Sequence, residues 1–365
     1  MDCIKEVYIN QQAIDKIEEL DKLGIKIYSF SKLDNAQDCL FGFYKEYVEK
    51  DKKNKQDNIY SILGVAVHEC LEQAYNSSKE EDWSKLLSET FEKAYSQCIE
   101  NKIYFPTDTI RENYINSITN YCATFKKDNH KSFQEQIFLM RIDDDIWVRG
   151  FIDRVLADDT SGKDSLRILD YKTSTLYGKN ELPKKGRQLV LYGIAVEHSS
   201  KYPVTSVCWD MLKYVDVQYT GKTRKRKRIF DRHNFITVWR SEIIESLEEV
   251  FNGEEDYENI IYAYEQAVIK NKIPVEIEDK FILSPAWVSY PFTKETKEEC
   301  IEWIRETVKT INNTTEFLPK EIDSHNSFKC IHVCSYRGVC PYIKKFVQSL
   351  SDFAVESGIN YEDLF

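Results

Sequence analysis

A mixed central sheet flanked by helices, an α/β architecture, is predicted by three observations. The hydrophobic period runs near 3.6 from residue 59 to about residue 127, shortens to 2 from Gln136, and returns to helical spacing over 241–271 and 293–312. Turn signals at Asp143-Asp144-Asp145 and Asp158-Asp159-Thr160-Ser161-Gly162 divide the period-2 region into short runs. With 365 residues of which 42% are hydrophobic, the chain has apolar material for a sizeable core, which excludes a disordered or fibrous protein.

The elements follow in order. Residues 11–23 have the spacing of a short amphipathic helix, Gly24 breaks it, and residues 25–28 alternate like a strand. Ser29 is placed to N-cap a following helix that carries Cys39 and an aromatic face of Phe41, Phe43, Tyr44 and Tyr47. A charged linker over 50–58 leads to two or three helices before residue 127. Strands at about 136–142, 146–157 and 166–172 form a meander, a helix follows over 185–198, and 204–217 reads as a strand or strand pair with 229–238 as its partner. These parts are expected to make one domain over 1–365: opening helices at 25–75, a helical insertion at 76–130, an α/β core at 131–240, and C-terminal helices with a cysteine segment at 241–365. No internal repeat or low-complexity tract interrupts them.

Against 61 acidic residues stand 50 basic ones, and the formal net charge of -11 argues against a surface that coats nucleic acid by bulk positive charge. The longest apolar run, residues 189–196, is eight residues, well short of the roughly 18 that a membrane-spanning helix needs. The opening Met1-Asp2-Cys3-Ile4-Lys5-Glu6 lacks a basic and an apolar region of a secretory signal, so a cytoplasmic location is expected. Ten cysteines in such a compartment call for an explanation other than disulfides. Six of them, Cys3, Cys70, Cys98, Cys122, Cys208 and Cys300, are scattered singly and are expected as small buried hydrophobes.

The densest chemical signal is Gly150-Phe151-Ile152-Asp153-Arg154-Val155 followed by Leu166-Arg167-Ile168-Leu169-Asp170-Tyr171-Lys172-Thr173. Side chains two apart in a strand share a face, so Asp170 and Lys172 point one way while Leu169 and Tyr171 point the other. A neighbouring strand can bring Asp153 to the same spot. Two carboxylates beside a lysine make a hard-oxygen site suited to Mg²⁺ or Mn²⁺ and to phosphodiester hydrolysis. An isolated Asp-x-Lys is usually a solvated ion pair on a hairpin. Here it ends an apolar strand and comes 17 residues after the Asp153 strand.

Asp153 with Asp170-Tyr171-Lys172 resembles the PD-(D/E)XK nuclease superfamily, in particular the RecB-type and AddB-type nuclease domains and their phage and CRISPR-associated exonuclease relatives. Further positions agree in order. Gly64-Val65-Ala66-Val67-His68-Glu69-Cys70-Leu71 matches the family's Gly-x-x-x-His helix, Gln188-Leu189-Val190-Leu191-Tyr192 its Gln-x-x-x-Tyr, and Tyr28-Ser29-Phe30-Ser31-Lys32-Leu33 with Cys39 its opening helix. The resemblance implies a metal held by His68, Asp153, Asp170 and the Tyr171 main-chain carbonyl, with Lys172 catalytic. It also implies that Gln188 and Tyr192, one helical turn apart, steady the site and the nucleic-acid backbone. Glu135 stands where the family often carries a further glutamate, and it equally fits a solvent-facing residue at a strand start.

Cys330, Cys334 and Cys340 form a compact thiol set, because thiolates three to five residues apart can wrap one soft metal centre. The resemblance supplies Cys39 as the fourth ligand and implies a structural [4Fe–4S] cluster joining the two ends of the chain. The spacing Cys330-x3-Cys334 departs from the family's more common x2. Zinc on the same four cysteines, or with His332 replacing one, is the competing reading.

Residues 222–228 carry six positive charges, Lys222, Arg224, Lys225, Arg226, Lys227 and Arg228. They are expected in an exposed hairpin loop, either as a solvated tip or as a contact for phosphates. Gly221-Lys222-Thr223 mimics the end of a P-loop, but the upstream glycine that motif requires is Asp216. Any unwinding motor is then a separate partner, a helicase or a recombination or CRISPR-type factor. The expected function is a metal-dependent DNA exonuclease acting on ends or single strands. The alternatives are a structure-selective endonuclease, a catalytically silent nucleic-acid-binding adaptor, and a zinc-stapled interaction module.

Overall fold

One long strand organises the sheet. The computed structural model describes residues 4–158, 164–222, 224–251, 256–343 and 345–349. The chain runs β1 (Ile4–Ile9), α1 (Gln11–Lys22), β2 (Ile27–Ser29), α2 (Phe30–Asp38), α3 (Leu40–Phe43), α4 (Ile59–Asn76), α5 (Trp83–Glu100) and α6 (Asp108–Thr124). It continues through β3 (Ser132–Ile142), β4 (Ile146–Ala157), β5 (Leu166–Lys172), α7 (Leu182–Ser199), β6 (Val204–Thr220), β7 (Lys225–Asp231), α8 (Phe235–Val238), α9 (Arg240–Val250), α10 (Tyr257–Lys270), β8 (Phe281–Tyr290) and α11 (Lys294–Asn313).

The strands form a mixed sheet in the order β1-β3-β4-β5-β6-β7, with β2 parallel against β4 and β8 antiparallel against β6. The mixed sheet flanked by helices is therefore present as the sequence predicts. Residues 207–210 of β6 pair with both β5 and β8, and residues 215–219 pair with both β7 and β8. It follows that β5 and β7 meet end to end along one edge of β6, with the junction at residues 211–214. Helix α7 buries the apolar run 189–196 against one core together with α2 and α11, and that burial accounts for its hydrophobicity. Each fully buried leucine there contributes about 2 kcal/mol. Helices α4, α5 and α6 share a second core with Tyr171 and Leu212, and α8, α9 and α10 cover the distal half of β6.

Several expectations are corrected. Strands β1 and β8 add to the strands that the period-2 pattern marks; β8 contains Pro285, which reads as a strand breaker and sits beside the slip in the β6–β8 register. The partner of β6 begins at Lys225 and ends at Asp231 rather than spanning 229–238, because Phe235 and Ile236 turn into α8 and bury beside Trp239. Cys39 does not ride within a helix. Ser29 caps α2 by accepting from the Lys32 N–H, the helix stops at Asp38, and Cys39 is extended (φ -159°, ψ 109°) between α2 and α3. Of the singly placed cysteines, Cys70, Cys98, Cys122, Cys208 and Cys300 are buried as expected, and Cys3 lies outside the described residues.

Candidate active site

Sheet register assembles the acidic groups. Gln134 pairs with Arg154 and Gln136 with Ile152, so Glu135 on β3 stands opposite Asp153 on β4. On the other side Arg154 pairs with Leu169, and the same register carried one step further sets Asp153 across from Asp170 on β5. There the strands part, and the Asp153 Oδ2 accepts the Tyr171 N–H at 2.7 Å. Directly opposed residues share a face, so Glu135, Asp153 and Asp170 make one row across three strands. Glu135 has φ +45°, a backbone strain uncommon outside glycine that breaks the β3 ladder at this row.

Crowding shifts the carboxyls together. Burial, followed by the charge of Asp153, pushes Glu135 up to about 7. Burial likewise raises Asp153 and pushes Asp170 up to about 6, with Lys172 opposing both. On the same face as Asp170, as alternation requires, the Lys172 Nζ lies 2.5 Å from Asp170 Oδ2. Burial alone would favour the neutral amine, but Asp170 outweighs it and raises the Lys172 pKa. The ammonium also donates to Gln188 Oε1 at 3.3 Å, and Gln188 Nε2 donates to the Tyr192 hydroxyl at 2.9 Å. Gln188 and Tyr192 thus join the site as a chain of contacts that aims the lysine.

Helix α4 brings His68 from the other side. Its Nδ1 lies 3.5 Å from Asp153 Oδ2, and its ring stands edge-on to Tyr171 with centroids 5.7 Å apart. Burial and then the Lys172 charge push its pKa down to about 4, so the imidazole is neutral and its nitrogen lone pair is available to a ligand. Gly64 lies one turn before His68, and a Cβ there would meet the Thr173 hydroxyl at 3.3 Å. Its lack of a side chain lets α4 approach the end of β5.

A contact network outside the sequence-derived set locks α4 to β4. Arg154, next to Asp153, makes a two-point ion pair with Asp128 at 2.8 and 2.7 Å and lies 3.7 Å over the Tyr75 ring, whose hydroxyl also donates to Asp128. Tyr75 is seven residues after His68 and so shares its face of the helix. That spacing is the only sequence signal for this network; nothing local marks Asp128.

Of these groups His68, Glu135, Tyr171 and Lys172 line a cavity of about 1160 Å³, together with Glu72 from α4, Lys213 from β6 and Tyr114 from α6, whereas Asp153 and Asp170 are not part of its lining. The donor chemistry, two or three carboxylates, a neutral imidazole and a main-chain carbonyl, suits a hard divalent cation. Among the described residues, no group of three His, Cys, Asp or Glu side chains is arranged as a ready cage for an ion. Asp170 and Asp153 are turned toward Lys172 and the Tyr171 N–H, and both partners would have to share them with a cation.

The cysteines gather elsewhere. Cys39, Cys330, Cys334 and Cys340 are all free and half-buried. Burial pushes the Cys330 thiol up to about 11, with Cys334, Cys39 and Cys340 each adding to the shift, and among the described residues these cysteines are not arranged as a ready metal site. Their segment is tied to residues 46–58 through Tyr336 to Glu46, Arg337 to the Asp57 carbonyl, and the Gln56 N–H to the Ser335 carbonyl.

The basic run departs most from expectation. Only its beginning lies in a turn; Lys225, Arg226, Lys227 and Arg228 form the first half of β7. Arg226 binds Glu242 at 2.7 Å, Arg224 binds Glu245 at 2.9 Å, Lys227 binds Asp216 at 3.0 Å, and Lys222 lies 3.7 Å from Glu249. Lys225 and Arg228 have no carboxylate partner among the described residues. Arg228 pairs with Val217, six residues beyond the Met211 that pairs with Lys172, which is roughly 20 Å along the strand.

A mixed sheet whose adjoining strands bring Asp153 beside Asp170-Tyr171-Lys172 defines a nuclease core. The family model of the PD-(D/E)XK nuclease superfamily matches residues 27–341, and the chain belongs to that superfamily. Curated relatives from Clostridium perfringens strains SM101 and 13, each named as one subunit of an ATP-dependent helicase/deoxyribonuclease, are 26% identical over 200 residues, covering 46% of this chain and 17% of the relative. The match thus spans under a fifth of those relatives. No helix among the described residues is long and apolar enough to cross a membrane.

Proposed function

We propose that this protein is a divalent-cation-dependent DNA exonuclease acting at ends or on single strands. The observation that carries the reading is the row Glu135, Asp153 and Asp170 ending beside Lys172, with Glu135, Lys172 and His68 lining one cavity. Asp153, Asp170, His68 and the Tyr171 carbonyl would hold Mg²⁺ or Mn²⁺. Such an ion supplies Lewis-acid charge to a phosphate oxygen and makes water more acidic. The chain's own groups do the rest. Lys172, fixed between Asp170 and Gln188, donates to a phosphate oxygen as negative charge builds there. A water oxygen bonds to phosphorus and gives up a proton to solvent, the bond to the leaving sugar oxygen breaks, and that oxygen takes up a proton from solvent, so one water is consumed per bond cut. Arg154, Asp128 and Tyr75 hold His68 and Asp153 in register.

We propose further a structural [4Fe–4S] cluster on Cys39, Cys330, Cys334 and Cys340, with zinc as the competing occupant, supported by the charge of the other three thiols on Cys330 and by the ties of this segment to residues 46–58; its role would be to fasten the C-terminal segment to the opening helices. The names of the relatives support a separate helicase as partner. The test is cleavage of end-labelled single- and double-stranded DNA with Mg²⁺, Mn²⁺ or chelator, with Lys172→Ala run in parallel. Divalent-dependent shortening from the ends that is lost in the variant is expected; intact substrate under every metal would overturn the reading. A brown, iron-containing anaerobic preparation is expected, and a colourless one with stoichiometric zinc would replace the cluster.

A further inference from the structure

We infer that Lys213 is a substrate-binding residue, the seat for a second phosphate of the nucleic-acid strand beside the one at Lys172. The inference rests on the nuclease reading and extends it to a residue in neither the Asp-x-Lys nor the helix motifs. It starts from sheet geometry. Strand β5 ends where Lys172 pairs with Met211, and β7 ends where Asp231 pairs with Tyr214. Lys213 therefore lies in the gap between the two strand ends, two residues along β6 from the level of Lys172. On the opposite edge, Asp210 pairs with Trp287 and Val215 with Pro285, so five steps of β6 face two of β8. That bulge lies over residues 211–214, and bulges of this kind re-aim side chains beside active sites.

Its side chain is placed for an anion. Lys213 is 6% exposed, yet it lines the same cavity as Lys172, Glu135 and His68. It makes no ion pair or hydrogen bond through its ammonium among the described residues; its neighbours are the rings of Tyr114 and Tyr214, at 5.7 and 5.9 Å. Asp231 exerts charge on it, but that carboxylate is engaged by the Ser117 hydroxyl and by His233 at 3.0 Å. Burial strips solvation from the ammonium, and the two rings and the charge of Asp231 supply no direct hydrogen bond to replace it. A phosphate in the cavity would. Thr173, Ser174 and Thr175, which follow Lys172 and line the same cavity, add hydroxyl donors of the kind that phosphate takes. The acidic lining residues are Glu69 and Glu72 of α4, Glu135 of β3 and Asp231 at the end of β7, while the two lysines of the lining, Lys172 and Lys213, come from neighbouring levels of β5 and β6.

The experiment compares wild type, Lys213→Gln, Lys213→Met and Lys213→Arg. Binding of a fluorescent single-stranded oligonucleotide is measured in chelator, where no cleavage intrudes, across a salt series, and thermal stability is recorded for each. The expected result is a roughly tenfold weaker Kd for the Gln and Met variants and a log–log salt slope shallower by about 0.7, the share of one phosphate contact on a single strand. Arg should retain most of both. Because the ammonium has no partner, Gln and Met should leave Tm unchanged or raised. Unchanged Kd and slope in folded Gln and Met variants would overturn the assignment while leaving the nuclease reading intact. A fall in Tm without a change in slope would make Lys213 structural and also overturn it. Failure of the wild type both to bind and to cut would overturn the nuclease reading, and with it this one.

Discussion

The acidic row at the end of β5 and the basic run at the start of β7 are built in opposite ways. Glu135, Asp153 and Asp170 are spread over 36 positions and come together only because antiparallel register lays them side by side. The basic run packs six charges into seven residues, and the fold then disperses four of them onto Glu242, Glu245, Glu249 and Asp216. Density along the chain and density in space are different quantities. Carboxyls that the fold forces together are shifted up in pKa even with Lys172 beside Asp170, which marks a place where a ligand is needed. Like charges that alternate across a strand find their own counterions and become structure.

The sharpest break in this comparison is kinetic. Asp170→Asn or Lys172→Ala should lower kcat by about 10³-fold, since each removes charge placed at the reacting phosphate. Exchanging Lys225 and Arg228 together for Gln should leave kcat within about twofold in single-turnover assays on the same substrate.

Next in size is proton linkage at the row. With Glu135 pushed up to about 7 and Asp170 up to about 6, both hold protons well above the usual carboxylate range. A cation must displace those protons, so apparent affinity for Mn²⁺ should rise up to about tenfold per pH unit per proton displaced, from about pH 5 to about pH 7, and then level off. Calorimetry at several pH values, in buffers of different ionisation enthalpy, checks both the rise and the proton release. A flat profile would mean that the row does not bind the ion.

The basic run should instead show its importance in stability. Glu242 is 1% exposed and depends on Arg226 at 2.7 Å, with Arg224 more distant at 3.7 Å. Arg226→Gln should therefore cost about 2 kcal/mol in denaturant unfolding, through the buried carboxylate it leaves behind. Gln188→Ala, which removes the amide that aims Lys172, should cost roughly tenfold in kcat with little change in KM or Tm. The smallest effect belongs to Lys225 and Arg228: the double Gln variant should weaken DNA binding only severalfold and slightly flatten its salt dependence.

Much of the site was legible in the sequence. Asp170 and Lys172 share a face through strand alternation, His68 and Gly64 through helical spacing, and Gln188 and Tyr192 likewise, and each pair meets as those periods require. Glu135 was ambiguous because a glutamate at a strand start looks the same whether it faces water or Asp153; its φ of +45° is visible only in the fold. Arg154 lay inside a motif, but its partner Asp128 is in a connecting segment with no local signal. The meeting of Glu69, Glu72, Glu135 and Asp231 with Lys172 and Lys213 around one cavity likewise depends on which elements face each other.

By itself the sequence determined the element types, the mixed sheet with helices around it, and the residue kinds needed for phosphodiester chemistry, because periodicity and composition act over a few residues at a time. Only the tertiary structure decided which charges remain without counterions. Register set three carboxylates in one row, a strand bulge aimed Lys213 into the cavity, and the acids around β7 neutralised most of a run that looked like the binding surface. Those outcomes depend on pairings between residues distant along the chain, which no local pattern encodes.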